Sequence, residues 1–194
     1  MSGNRNITVR GIVIARRGAG EGSLRVSLYS DTLGLVQATA RSAREERSQL
    51  RSHLQEGTWG TFTLVLGRDT WRVTGAVDAR NLYFSGMEKP AKESAARVLE
   101  MVRQLVHGEG SDAGLFASLW EFFHILPLLR EKEARDAECL AVLRALSSLG
   151  YVEDSPAVRD FLGIHYDTPR LMKARGARSR LVKIINGGIA ASGL

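Results

Sequence analysis

One cysteine, Cys139, is all that the 194 residues contain. A lone thiol excludes an internal disulfide and any zinc site built on several cysteines, and it suits a reducing compartment. The four histidines, His53, His107, His124 and His165, stand far apart, and none has a second His or Cys at metal-ligand spacing. Long apolar runs are also missing. The longest, 115–120 and 122–129, are divided by Glu121 and interrupted by Ser118, His124 and Pro127. They fall far short of the ~20 residues that a membrane span requires. No charged segment followed by an apolar one opens the chain, so no secretory signal is expected and the cytoplasm is the expected compartment.

The motifs of catalysis are absent too. Gly18-Ala19-Gly20-Glu21-Gly22 does not end in Gly-Lys-Ser/Thr, so it reads as a turn between strands rather than a phosphate-binding loop. Cys139, in a leucine-rich stretch, reads as a small buried hydrophobe. The acidic pairs Glu45-Glu46 and Glu131/Glu133 lie among bases and read as solvated faces. No nucleophile, general base or metal constellation emerges. The expectation is a protein that is not an enzyme and takes no cofactor, no metal and no small-molecule substrate.

What the chain does have is an uneven charge. Its formal net charge is +6. Residues 1–84 carry twelve arginines against seven acids, a balance of +5, with no lysine at all. Residues 85–167 carry nine bases and fourteen acids, a balance of −5. Residues 168–194 carry six bases and no acid. An arginine-only basic segment suits bidentate recognition of phosphate and stacking on bases.

Apolar periodicity changes once along the chain. Residues 7–16, 23–30, 35–41, 58–66 and 70–82 are β-rich and alternate in whole or in part, with Leu24, Val26 and Leu28 opposite Arg25, Ser27 and Tyr29 as the clearest case. A tight hairpin is expected at Gly67-Arg68-Asp69, and five short strands joined by turns suit a small barrel. Residues 42–56 form a polar, arginine-rich connection, either a solvated loop or short helix, or a contact surface. After Phe84 the spacing becomes helical. Helices are expected over 91–106, from a cap at Ser111 or Asp112 as far as Pro127, and over 131–149 with Gly150 as the stop. A short helix from Ser155-Pro156 to Leu162 and a tail helix over 179–191 complete the set. Gly187 and Gly188 weaken that last helix by roughly 1 kcal/mol each, so tertiary packing must hold it. Strands first and helices after define an α+β chain or two domains.

Several stretches, in order, resemble the RecO family. They are Gly11-Ile12-Val13-Ile14, Gly20-Glu21-Gly22, Arg25-Val26-Ser27-Leu28-Tyr29-Ser30 and Gly34-Leu35-Val36-Gln37-Ala38-Thr39-Ala40-Arg41, followed by Ser48-Gln49-Leu50 with Leu54-Gln55. Further on, Leu143-Arg144-Ala145-Leu146-Ser147-Ser148-Leu149-Gly150-Tyr151 is similar to the family's "LRLL..LGY", and Leu181-Val182-Lys183-Ile184-Ile185-Asn186 is loosely similar to its closing helix. The chain also departs from the pattern. Many members carry four zinc-binding cysteines between the "LGY" motif and the last helix, whereas residues 152–178 here contain none. Ala141-Val142 replaces the family's Phe-Glu.

The resemblance implies an N-terminal five-stranded OB-fold β-barrel over 1–84 that binds nucleic acid. A C-terminal all-helical domain follows over 85–194, with a basic tail helix from about residue 178. It implies a recombination mediator, associated with the nucleoid, that binds single- and double-stranded DNA and anneals complementary strands. Such a protein works with RecR and single-stranded-DNA-binding protein to load the RecA recombinase. The residues expected to contact phosphate are Arg16, Arg17, Arg25, Arg41, Arg44, Arg47, Arg51 and Arg72. Arg170, Lys173, Arg175, Arg178 and Arg180 are expected to extend the basic track. Tyr29, Trp59 and Trp71 are either stacking rings or packed core. Lys132, Arg135 and Arg144, near Leu140 and Leu143, either line a groove for an acidic, apolar-ended peptide such as the tail of single-stranded-DNA-binding protein, or belong to an ordinary amphipathic core helix with solvated charges. The alternative is an OB-fold module that binds RNA or a protein and does not anneal.

Overall fold

Alternating β-branched and aromatic residues fold the first part into five strands: β1 (Asn6–Gly18), β2 (Leu24–Ser30), β3 (Gly34–Ala40), β4 (Thr58–Leu66) and β5 (Trp71–Asn81). The structure, a computed structural model, describes residues 6–20, 22–41, 50–84, 86–108 and 110–193. The strands close into a barrel in the order β1-β2-β3-β5-β4. Every pairing is antiparallel except β3 with β5. This is the five-stranded Greek-key barrel of the OB-fold, and helices follow it, so the α+β expectation holds.

One face of each strand supplies the core. Val9, Val13, Val26, Leu28, Val36, Phe62, Leu64 and Val73 form one buried cluster. Burying such a side chain stabilises the fold by roughly 2 kcal/mol. Leu54, just after the one-turn helix α1 (Leu50–His53), joins the same cluster.

The register of β1 against β2 slips between Val13 and Ala15. This bulge decides where the end of β1 points. Val13 pairs with Leu28 inside the barrel, and simple alternation would send Ala15 and Arg17 inward as well. Past the slip Ala15 pairs with Ser27 and Arg17 with Arg25, so both take the outward face. Re-aiming a side chain is a common consequence of a bulge.

The helices are α2 (Lys89–Leu105), α3 (Ala113–Ile125), α4 (Glu131–Ser148), α5 (Thr168–Gly176) and α6 (Arg178–Ser192). Asp112 caps α3 by accepting the Leu115 N–H at 2.8 Å, and Pro127 ends that helix in a 3-10 turn. α4 packs against α2, α3, α5 and α6. It is therefore buried nearly all round, from Ala134 and Ala137 through Leu140 and Leu143 to Leu146.

Two features differ from the sequence reading. Ser155-Pro156 starts no α-helix; only a 3-10 turn forms, over Arg159–Phe161. The carbonyls of Phe161, Ile164 and His165 accept from the Arg144 side chain instead. The second is α5, which stands where a plain basic tail is expected. Its signal is local: Asp167 caps it by accepting the Arg170 N–H, and Pro169 sits in the first turn.

The chain divides into two compact units. One is Met1–Ser85 with Val106–Ser111, and the other is Gly86–Leu105 with Asp112–Leu194.

Candidate nucleic-acid interface

The barrel ladder brings three of the expected arginines into one row. Arg17 pairs with Arg25, Arg25 with Thr39, and Thr39 with Arg72. The residues sit side by side on the outward face of β1, β2, β3 and β5. In the neighbouring row Ser27 and Gln37 hydrogen-bond reciprocally, the Ser27 hydroxyl donating at 3.1 Å and the Gln37 amide at 2.8 Å. Arg17 and Arg25 are exposed, and no ion pair among the described residues involves them or Arg72. Arg72 is half-buried, and its Nε has no hydrogen-bond partner among the described residues. Like charges directly opposite on a ladder are destabilising by roughly 0.2–1 kcal/mol. The row is therefore a place where an anion improves the protein's own electrostatics.

The other expected arginines lie elsewhere. Arg41 is exposed at the turn after β3, near the same end of the strands, and Arg51 is exposed on α1. Arg16 pairs with Val26 on the opposite side of β1 from Arg17 and lines a pocket with Glu56 and Tyr83. Arg44 and Arg47 lie outside the described residues. Arg10, not among the expected contacts, pairs with Asp31 at 3.0 Å.

The aromatic candidates are all buried: Tyr29 is 1% exposed, Trp59 3% and Trp71 7%. They pack and do not stand ready to stack on a base. Trp71 belongs to the barrel cluster, and Tyr29 and Trp59 each pair with Ile12 in the ladder.

The tail's positive charge is largely neutralised within the helical unit. Arg175 and Arg178 both bind the carboxylate of Asp136, at 2.7 and 3.2 Å, and that aspartate is 2% exposed. Lys173 pairs with Asp160 at 2.6 Å, and Arg170 pairs with Asp167. Charge summed by sequence segment misses this, because each of these acids precedes residue 168.

The peptide-groove residues do not converge as expected. Lys132 and Arg135 are exposed on α4, where Arg135 bonds Glu131 at 2.7 Å, whereas Leu140 and Leu143 are fully buried. Arg144 is 4% exposed and donates to the carbonyls of Phe161, Ile164 and His165 at 2.8, 3.2 and 2.8 Å. Its guanidinium lies over the Tyr166 ring, 4.3 Å from the centroid. Burial pushes its pKa down from the ordinary arginine value, and burial pushes the Tyr166 phenol up. A pocket of about 190 Å³ beside Arg144 is lined by Leu115, Ser118, Leu162 and Ile164 among others.

Cys139 is buried as its helix suggests, and burial pushes its thiol pKa up. Among the described residues no three of His, Cys, Asp and Glu converge as metal ligands, and no helix is long and apolar enough to cross a membrane.

Fold and surface together define an OB-fold barrel with a basic outer row, followed by helices. Comparison with known proteins shows what such a chain is similar to. Residues 1–80 match the model of the recombination protein O N-terminal domain. The chain is 26% identical over 140 residues to the DNA repair protein RecO of Alkaliphilus metalliredigens, covering 72% of this chain and 54% of that protein. It is 25% identical over 143 residues to the DNA repair protein RecO of Acetivibrio thermocellus, covering 73% and 56%. The barrel is thus similar to the N-terminal domain of recombination protein O, and the chain to proteins named DNA repair protein RecO. It spans about half the length of the curated relatives it matches.

Proposed function

We propose that this chain is a DNA-repair protein whose barrel binds single- and double-stranded DNA, anneals complementary strands and helps to load RecA, in company with RecR and single-stranded-DNA-binding protein. The observation that carries the reading is the register row Arg17–Arg25–Thr39–Arg72. It runs over the β2–β3 face and ends beside the β4–β5 hairpin, where OB-folds take oligonucleotides. The planar forks of Arg17 and Arg25 suit phosphate oxygens, and the exposed Gln37 amide, one of whose two N–H groups bonds Ser27, adds a neutral donor in the neighbouring row. Arg41 and Arg51 add to the barrel's positive charge, and Arg44 and Arg47, between them in sequence, remain part of the proposal. Annealing needs no catalytic group, because base pairing supplies the free energy and the protein only offsets phosphate repulsion.

The test is binding of a fluorescent single strand at several salt concentrations, followed by the rate of annealing to its complement. Binding that weakens steeply with salt, together with faster annealing, is the expected result. Binding without annealing would reduce the protein to a nucleic-acid module, and no binding at low salt would refute the reading. Competition with RNA of the same sequence separates a DNA protein from one that reads the 2′-hydroxyl.

A second reading rests on the pocket beside Arg144, where Leu115, Leu162 and Ile164 stand with Ser118, Ser147 and Ser148 around a buried cation. It would receive the apolar end of an acidic peptide, as the tail of single-stranded-DNA-binding protein is, with Lys132 and Arg135 meeting acids outside. Failure of such a fluorescent peptide to bind the full chain would remove it.

A further inference from the structure

The barrel unit carries an open pocket of about 400 Å³, lined by Arg16, Gln55, Glu56, Asn81 and Tyr83. Its parts are fixed by their own hydrogen bonds. Glu56 Oε1 accepts the Arg16 backbone N–H at 3.2 Å. The Asn81 amide donates to the Glu56 carbonyl at 2.9 Å and to Thr58 Oγ1 at 2.8 Å, and its oxygen accepts the Tyr83 N–H at 2.9 Å. The Tyr83 ring rests against Gly57, whose φ is +73° and where a Cβ would come within 3.2 Å of Tyr83 Cε2. Glycine is needed there both for the backbone and for the ring. Held in this way, Tyr83 is still 40% exposed.

Four groups are left over: the Tyr83 ring face, the second carboxylate oxygen of Glu56, the Gln55 amide and the Arg16 guanidinium. None of the three polar groups bonds a described residue. A carboxylate in the lining repels phosphate, so this is no continuation of the arginine row. The set is a flat ring, an acceptor-only group, an amide and a cation. A nucleobase matches it. The ring stacks on a base, which every base allows. The carboxylate accepts from an exocyclic amino group and meets a carbonyl badly, so it favours cytosine N4 over thymine O4. The burial and the Glu56 charge that raise the Tyr83 pKa keep its phenol neutral beside such a base.

We propose that this pocket takes one unstacked base of a bound single strand and prefers a base with an exocyclic amino group, cytosine foremost. The inference rests on the reading that the barrel binds DNA and adds to it a site of base preference. The Glu56 carboxylate accepts from the amino group, Gln55 meets the rest of the base edge, and Arg16 holds the adjoining phosphate.

The experiment is fluorescence anisotropy of the full chain with oligo-dC and oligo-dT of equal length, each over a salt series. The wild-type protein is expected to favour oligo-dC by about tenfold, the discrimination of one good base contact. Glu56→Gln is expected to abolish or invert the preference, because its amide nitrogen donates to thymine O4. Tyr83→Ala is expected to weaken binding of both strands without changing the salt slope, since stacking releases no counterions. Equal binding of the two strands by the wild-type protein, or a preference that survives Glu56→Gln, would overturn the pocket and leave the phosphate reading standing. Saturation by micromolar free deoxycytidine monophosphate would overturn it in favour of a free-nucleotide site. Failure to bind either strand at low salt would overturn the pocket and the DNA reading together.

Discussion

Arg144 shows how one side chain organises a stretch of chain that has little regular structure. Its three bonds to the carbonyls of Phe161, Ile164 and His165 satisfy acceptors that no helix claims. Replacing it with Met keeps the volume and removes every donor, and each buried acceptor left unpaired costs about 1–3 kcal/mol. Arg144→Met is expected to lower stability by about 3 kcal/mol, read as a fall in the urea midpoint. Arg144→Lys is expected to recover little, because an ammonium is a point donor and cannot span three carbonyls as a planar fork does. Full stability in the lysine variant would show that charge, and not the fork, holds the loop. The sequence carries a hint of this burial: Arg144 lies four residues after Leu140, on the stripe that faces the core. Its charge points to a groove and its position to the core, and position decides.

Helix α5 depends on acids more than on apolar burial. Only Leu171 and Ala174 are buried in it, while Asp167 caps it, Asp160 holds Lys173 and Asp136 holds Arg175. The Lys173 hydrogen bond keeps the Asp160 carboxyl below its usual range, and the Arg170 backbone N–H does the same for Asp167. Both pKa values are depressed in the folded state, so their contribution is present above the unfolded carboxylate value, about 3.9. It is lost as pH falls through the folded values. Amide protection, relative to the intrinsic exchange rate at each pH, is therefore expected to fall in residues 168–176 from about pH 4 downwards, before it falls in α4. An equal fall in both helices would place the weak point elsewhere. Helix α6 carries a different kind of constraint. A Cβ on Gly188 would lie 2.8 Å from Val152 Cγ2 and 3.2 Å from Leu146 Cδ1, whereas nothing lies within 4 Å of one on Gly187. Gly187→Ala is expected to raise stability by about 0.5–1 kcal/mol. Gly188→Val is expected to lower it by about 1–3 kcal/mol through overpacking. Thermal melts of the two variants check the pair. Composition alone treats these adjacent glycines as equals, and only the packing tells them apart.

Across the molecule, the parts legible in the sequence are those set by local periodicity. Leu24, Val26 and Leu28 alternate and are in the barrel core, and Asp112 announces its cap. The parts that are not legible depend on register or on distant partners. No pattern in β1 shows that a bulge turns Arg17 to the side of Arg25, and no segment sum shows that Asp136 neutralises Arg175 and Arg178. That contrast leads to a test of where the molecule's charge acts. Arg17→Glu with Arg25→Glu, and Arg180→Glu with Lys183→Glu, change the net charge by the same amount. If DNA responds only to total charge, the two double variants weaken binding alike. If the barrel row takes the phosphates, the first pair alone flattens the dependence of log affinity on log salt. The change expected is roughly 1.4 for two phosphates of a single strand. Arg180 and Lys183 are exposed on α6, so reversing them leaves the fold intact and isolates the long-range term, which about 10 Å of screening at 0.1 M salt makes small. Equal flattening by both pairs would put the helical unit's bases in contact with DNA and would spread the interface beyond the barrel.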